Sequence, residues 1–263
     1  MPAPRRKKTE SKIRVGIGGW TYAPWRGAFY PKGLPHSQEL AYASRHLTSI
    51  EINGTFYRTQ KPATFEKWAR ETPDGFVFSL KGPRYATNRR VLAEAGDSVT
   101  RFLESGPSAL GDKLGPILWQ FAPTKKFDEA DFGAFLELLP KKFDGRALSH
   151  VVEVRHLSFC TPAFIALLRK FAIPVVYAEH ATYPGIADLT GDFVYARLQK
   201  GKDKVRTGYA PKALDAWAAR AKAWARGGLP EDLPTTAPQP RGTARPRDVF
   251  IWDEALPGLG SRG

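Results

Sequence analysis

Short apolar runs recur along the chain, and each is followed by a stretch whose apolar positions fall at helical spacing. The β-rich runs are residues 13–18, 49–53, 76–81, 117–121, 150–155, 174–179, 193–198 and 248–252. They are rich in Val, Ile, Phe and Tyr, and Gly or Pro flanks most of them, which is the signature of strands bounded by turns. The spacing predicts helices over 37–46, 64–71, 98–103, 128–139, 162–171 and 211–226, with apolar faces such as Phe65, Trp68 and Ala69. Thr161 stands as an N-cap before Pro162, and the acidic start at Asp128 suits a helix N-terminus. Between the sixth and seventh strands only 185–189 remains, so the sixth helix is expected to be short.

Strict alternation of strand and helix implies right-handed crossovers and a parallel sheet. Eight strands in about 250 residues fit a closed α/β barrel of the TIM type, (β/α)8, better than an open doubly wound sheet. Neither GxGxxG nor GxxxxGK[ST] is present, which weakens the nucleotide-binding form of the open sheet. Residues 16–19 read only as a tight turn. Residues 227–247 are dense in Pro, Gly and Thr and read as a long loop. Eleven residues follow Trp252, too few and too Gly-rich for a full outer helix. That last helix is expected to be missing or degenerate, a gap that a partner subunit could fill.

Composition narrows the class. Hydrophobic residues make up 42% and charged residues 25%, close to an average globular protein, so one barrel over 13–263 has ample core material. No apolar run approaches the roughly 18 residues of a membrane helix. Residues 1–12 lack the apolar segment of a secretory signal. The single cysteine, Cys160, excludes an internal disulfide and a zinc-spaced Cys cluster, and reads as a bystander thiol of a cytoplasmic protein. The net charge of +14 adds a preference for anionic partners. Arg5, Arg6, Lys7, Lys8 and Lys12 against Glu10 place +4 of it in residues 1–12, which read as a disordered basic arm. The rest is spread along the chain, including Lys200 and the basic run after it.

Candidate chemistry follows from strand parity, because alternate residues of a barrel strand point inward. Glu51 and Asn53 share one face, as do Ser79 and Lys81, Glu153 and Arg155, Tyr177 and Glu179, and Tyr195 and Arg197. Trp119-Gln120 is left undecided. Five strands thus carry a charged residue near the carboxyl end, where barrel enzymes keep their catalytic groups. Burying an unpaired charge costs several kcal/mol, so these residues must pair with one another or with a ligand. Lys81, Arg155 and Arg197 suit a phosphate or carboxylate. Glu51, Glu153 and Glu179 suit acid–base work or a divalent cation, the one cofactor left open. His156 and His180 are candidate bases or ligands. Asn53 and Gln120 suit hydroxyls or carbonyls. The aromatics Trp20, Tyr22, Trp25, Phe29, Tyr30, Phe56 and Tyr57 either stack a base or sugar at the rim or simply cap the barrel.

The same residues carry a family resemblance. Gly18-Gly19-Trp20 with Trp25, Gly27 and Phe29-Tyr30-Pro31, then Ser49-Ile50-Glu51-Ile52-Asn53 with Thr55-Phe56-Tyr57, resembles the YecE-like family, domain of unknown function 72. The likeness continues through residues 76–81, Leu118-Trp119-Gln120-Phe121 and Glu153-Val154-Arg155-His156, and spans about 13–252. It implies a TIM-type barrel with a strand-end site. The signature positions it marks are Trp20, Glu51, Asn53, Thr55, Tyr57, Lys81, Gln120, Glu153, Arg155, His156 and Arg197. Two places depart from the pattern. The seventh strand, usually Arg-x-His-Gly in members, reads Arg197-Leu198-Gln199. Asp253-Glu254 follows the last strand, where members carry an Asn- or Gly-bearing turn and a helix.

Three functional readings remain open at this point. The first is an enzyme, a hydrolase or an isomerase/lyase, acting on a phosphorylated or otherwise anionic small molecule. It would bind through Trp20, Asn53, Tyr57, Lys81, Gln120, Arg155, Glu179 and Arg197, and catalyse through Glu51, Glu153 and His156. The second is a nucleic-acid-associated protein or metal-dependent nuclease, drawn by the basic charge. The third is a non-enzymatic scaffold whose strand-end charges merely pair, for example Glu153 with Arg197.

Overall fold

The computed structural model describes residues 10–202, 204–205, 207–240 and 244–254. Eight strands form one sheet: β1 (Ile13–Gly18), β2 (Ser49–Ile52), β3 (Val77–Lys81), β4 (Leu114–Gln120), β5 (His150–Glu153), β6 (Val176–Glu179), β7 (Phe193–Leu198) and β8 (Asp248–Asp253). Their order is β5-β4-β3-β2-β1-β8-β7-β6, and every neighbouring pair is parallel. The two ends of that order meet through one parallel bridge, Val152 with Val175, beside which the Val152 amide donates to the Pro174 carbonyl at 3.1 Å. The sheet is a nearly closed parallel barrel, as the alternation predicts.

Helices ring the outside: α1 (Glu39–His46), α2 (Gly54–Tyr57), α3 (Pro62–Glu71), α4 (Arg84–Thr87), α5 (Gly96–Glu104), α6 (Glu129–Glu137), α7 (Pro162–Phe171) and α8 (Pro211–Ala225). Local chemistry sets their starts. The Thr161 side chain accepts from the Phe164 amide at 3.3 Å ahead of Pro162, and the Asp128 carboxylate accepts from the Asp131 amide at 2.9 Å. Pro62 in the first turn carries α3 two residues further back than its apolar spacing suggests.

Each strand separates two packed layers. Outward residues such as Trp119 and Phe121 meet Phe102, Phe132 and Phe135 under the helices. Inward, Val77, Leu118, Val151, Val176, Tyr195, Phe250 and Trp252 fill the barrel. Gly16 makes room for the last of these: a Cβ there would lie 2.8 Å from the Trp252 ring and 2.2 Å from the Ser49 carbonyl oxygen.

One expected element is corrected. Residues 185–189 form no helix, and no helix stands between β6 and β7. Gly185 instead pairs antiparallel with Tyr177. Asp188 spends its carboxylate on the Thr236 and Ala237 amides, at 2.6 and 3.0 Å, and the Ala187 amide donates to the Pro234 carbonyl. The Pro-rich loop before β8 is thus tied on in the helix's place. Residues 1–9 of the expected basic arm, 203 and 206 of the basic run, 241–243 of the loop and the tail 255–263 lie outside the described residues. Among the described residues no helix is long and apolar enough to cross a membrane.

Candidate functional site

The inward residues at the carboxyl ends of the strands are Glu51 on β2, Ser79 and Lys81 on β3, Gln120 on β4, Glu153 on β5, Ala178 on β6, and Tyr195 and Arg197 on β7. Strand register brings them together: Glu51 lies beside Ser79, Gln120 beside Glu153, and Arg197 beside both Ala178 and Trp252. Glu51, Ser79, Lys81, Gln120, Glu153 and Arg197 are all buried. The undecided pair on β4 resolves as well. Trp119 turns outward, its Nε1 donating to His150 Nδ1 at 3.1 Å, and Gln120 turns in.

At the centre of the mouth is the Arg197 guanidinium. Its Nη1 donates to Glu153 Oε2, and its Nη2 to Glu51 Oε1 at 3.2 Å and to Glu254 Oε1. Burial alone would make the guanidinium easier to deprotonate, but Glu153 and Glu51 outweigh that and hold it firmly charged. Glu153 also accepts from Arg155 Nε at 2.7 Å and from Gln120 Nε2 at 3.0 Å. Desolvation raises its pKa, yet Arg197, Arg155 and Lys81 together bring it well below the usual carboxylate range. Tyr195 donates its hydroxyl to Glu51 Oε2 at 2.5 Å, and Ser79 Oγ lies 2.9 Å from that hydroxyl. Burial first, and then Glu51, push the Tyr195 pKa well up, so it remains a donor. Burial and Glu51 likewise push Tyr22 up to about 12.

Lys81 differs from these paired groups. It is 8% exposed, and among the described residues no carboxylate lies within ion-pairing distance of its ammonium. The contacts of Nζ are Asn53 Oδ1 at 3.5 Å and the Phe56 ring, 4.8 Å to the centroid. Thr55 donates to the Lys81 carbonyl at 2.7 Å and pins the strand end beneath it. Burial, and after it the nearby Arg197, lower the Lys81 pKa to about 8. Among the described residues Arg155 uses only Nε in a hydrogen bond; its guanidinium lies over the Tyr183 ring, 4.7 Å to the centroid, and that ring stacks on His180 at 3.8 Å. Burial, then Arg155, lower the His180 pKa.

Other candidates stand apart. Glu179 is a correction: the inward residues of β6 are Val176 and Ala178, whereas Tyr177 packs outward on Trp217 and Trp224 of α8. Glu179, on the same parity as Tyr177, accepts from the Tyr209 hydroxyl. His156 caps a short 3-10 turn, its Nδ1 accepting from the Ser158 amide at 3.1 Å. Trp20 packs edge-on against Trp68 of α3 at 5.5 Å, and Trp25 and Tyr30 are buried in the same layer between helices and sheet. Tyr57 is 53% exposed on the rim, with Arg84 lying between it and Tyr85. Cys160 is exposed, and desolvation and Asp188 raise its thiol pKa.

Sequence reasoning missed Glu254, which follows β8 in the stretch that departs from the family resemblance. Gln199, the other departure, donates to Glu254 Oε2 at 2.6 Å, so the two meet beside Arg197. Among the described residues no group of three or more His, Cys, Asp or Glu side chains is placed to hold a metal ion. The three glutamates of the mouth surround a guanidinium instead. A cavity of about 580 Å³ opens at the opposite end of the barrel, lined by Arg14, Val77, Phe193, Asp248 and Phe250 among others. There Arg14 is paired with Asp248 at 3.0 Å and lies over the Phe250 ring.

Comparison with known proteins agrees with this architecture. A DUF72 family protein from Thermotoga maritima MSB8 superposes with a TM-score of 0.69 at 21% identity, covering 92% of each chain. One from Enterococcus faecalis V583 gives 0.65 at 17% identity, covering 94% of this chain and 91% of that one. At such identities the likeness concerns the fold. The UPF0759 protein YunF of Bacillus subtilis (strain 168) is 28% identical over 116 residues, a stretch that takes in 42% of this chain and 40% of YunF. The family model described as "Protein of unknown function DUF72" matches residues 14–241. The chain thus belongs to the DUF72 family, of which YecE-like is a synonym, and its barrel carries a buried charged mouth.

Proposed function

We propose that the mouth binds, and acts upon, a phosphorylated or otherwise anionic small molecule, with Lys81 and Arg155 as the groups that meet it. The observation that carries this reading is the buried Lys81 ammonium, which among the described residues has no carboxylate within ion-pairing distance. A buried cation is costly unless something compensates it, and an anion entering the mouth would do so. Arg155, with Nη groups beyond its contact to Glu153, would supply a forked second contact. Asn53 beside Lys81 suits a hydroxyl or carbonyl of the same ligand.

Glu51 and Glu153 take a different role here from the one their residue type suggests. Both accept from Arg197, so in this reading they hold the cationic scaffold in place, and Lys81 is the group that exchanges a proton near neutral pH. The test is titration calorimetry with inorganic phosphate and with a panel of phosphorylated and carboxylated metabolites. Lys81→Met and Arg155→Ala should each weaken binding about 10- to 100-fold, the worth of a hydrogen bond to a charged group. Unchanged affinity in both variants would overturn the reading.

One observation favours a second reading at the rim. The exposed rings of Tyr57 and Tyr85 flank the Arg84 guanidinium, a combination suited to stacking the bases of a single-stranded nucleic acid. Oligonucleotide binding that falls on Tyr57→Ala and Arg84→Ala, as well as with salt, would support it. A loss with salt alone would reduce it to non-specific charge attraction.

A further inference from the structure

Resting on the reading of the mouth as an anion site, we infer that Lys81 is a nucleophile that forms a Schiff base with a carbonyl compound bearing an anionic group. Three observations beyond its charge point to covalent chemistry. Lys81 ends β3 on the inward face, on the parity of Val77, at the carboxyl end of the barrel. Its Nζ rests on the face of the Phe56 ring and 3.5 Å from an amide oxygen, and among the described residues Glu51 and Glu153 act on it only from beyond ion-pairing distance. Its surroundings are otherwise fixed: Thr55 holds its backbone carbonyl, and three carboxylates fix the facing Arg197. An amine desolvated beside other cations is the arrangement that makes a lysine nucleophilic near neutral pH, because part of it is then unprotonated. The lowered pKa of about 8 agrees with this.

The chemistry balances without a further reagent. The neutral Nζ attacks the carbonyl carbon, a C–N bond forms, and the carbonyl π pair moves to oxygen. One proton passes from nitrogen to that oxygen to give a carbinolamine. A second proton, taken from solvent, lets the oxygen leave as water while the nitrogen lone pair closes the C=N bond of an iminium. The anionic group of the substrate would be held by Arg155, and Asn53 would face the carbinolamine hydroxyl. The substrate class is therefore an aldehyde or ketone carrying a phosphate or carboxylate.

The test uses the full chain with pyruvate and with glycolaldehyde phosphate, two carbonyl compounds whose anionic groups lie at different distances from the reacting carbon. Sodium borohydride traps any iminium as a stable amine, and peptide mass spectrometry locates it. At pH 7 an adduct is expected at Lys81 with one or both probes, at a rate about 300-fold above that at exposed lysines, which follows from their relative neutral fractions. Trapping should level off above about pH 8. Lys81→Arg, which keeps the charge but cannot form the iminium under these conditions, should abolish that adduct. Circular dichroism and melting of this variant establish that it folds.

The inference is overturned if neither probe labels Lys81 above the exposed lysines while calorimetry still detects phosphate binding that depends on Lys81. In that outcome the anion site stands and the covalent step falls. If phosphate binding is absent as well, both readings fall.

Discussion

Arg197 and Lys81 are both buried cations at the carboxyl end of the barrel, and they face each other from strands four places apart in the ring. Around Arg197 the protein supplies Glu51, Glu153 and Glu254, with Tyr195 and Gln120 bracing the glutamates. Around Lys81 it supplies an aromatic face and one amide oxygen. The charges of the mouth come close to balancing in sum, yet not pair by pair. Among the described residues the carboxylates pair with the cation on one side of the mouth and with none on the other, and the proposed anion site rests on that asymmetry. A network serving only to fill the interior would gain by pairing both.

The largest expected effect lies at Arg197. Arg197→Ala takes the cation from buried Glu51 and leaves Glu153 with Arg155 alone, and is expected to cost about 3–5 kcal/mol, read as a drop in chemical-denaturation midpoint. Lys81→Met should do the reverse at neutral pH, stabilising the fold by up to about 3 kcal/mol, because it removes a desolvated cation. The sign follows from its lowered pKa. Between about pH 8 and the ordinary 10.5, the unfolded chain holds a proton that the folded chain has lost, so stability rises with pH across that window. Denaturation curves of the wild type should display that rise, and those of Lys81→Met should lack it. Equal loss of stability in both variants would erase the proposed asymmetry.

Smaller changes sharpen the picture. Tyr195→Phe withdraws the donor from Glu51 and should cost about 1–3 kcal/mol, visible in thermal melting. Glu179→Gln should shift stability by about 1 kcal/mol or less and leave phosphate affinity unaltered, because its partner is Tyr209 outside the barrel. An effect of Glu179→Gln on affinity as large as that of Arg155→Ala would return β6 to the site.

Much of the site was legible in strand parity. Alternation put Glu51, Lys81, Glu153, Arg155 and Arg197 on the polar face of their strands, and the barrel brings them together. Alternation failed at β6 for a definite reason: it separates two faces but does not say which is inner. There Tyr177 is drawn outward into the space between Trp217 and Trp224, and Glu179 goes with it. The histidines were read from proximity to strand ends, and proximity says nothing about direction; His156 turns back to cap its own loop. Glu254 lay in a stretch that looked like mere divergence. Its meaning emerges only beside Gln199 and Arg197, 55 and 57 residues away along the chain.

The period of each segment can be read along the chain, and from it follow the parallel barrel and the set of polar groups at its strand ends. Period is a local property, dictated by backbone geometry and by which side chains must leave water. Only the tertiary structure decided which of those groups meet, that three carboxylates share Arg197, and that Lys81 is left without one. Pairing depends on distances between strands far apart in sequence, and in a low-dielectric interior a few ångströms separate a compensated charge from a poised one.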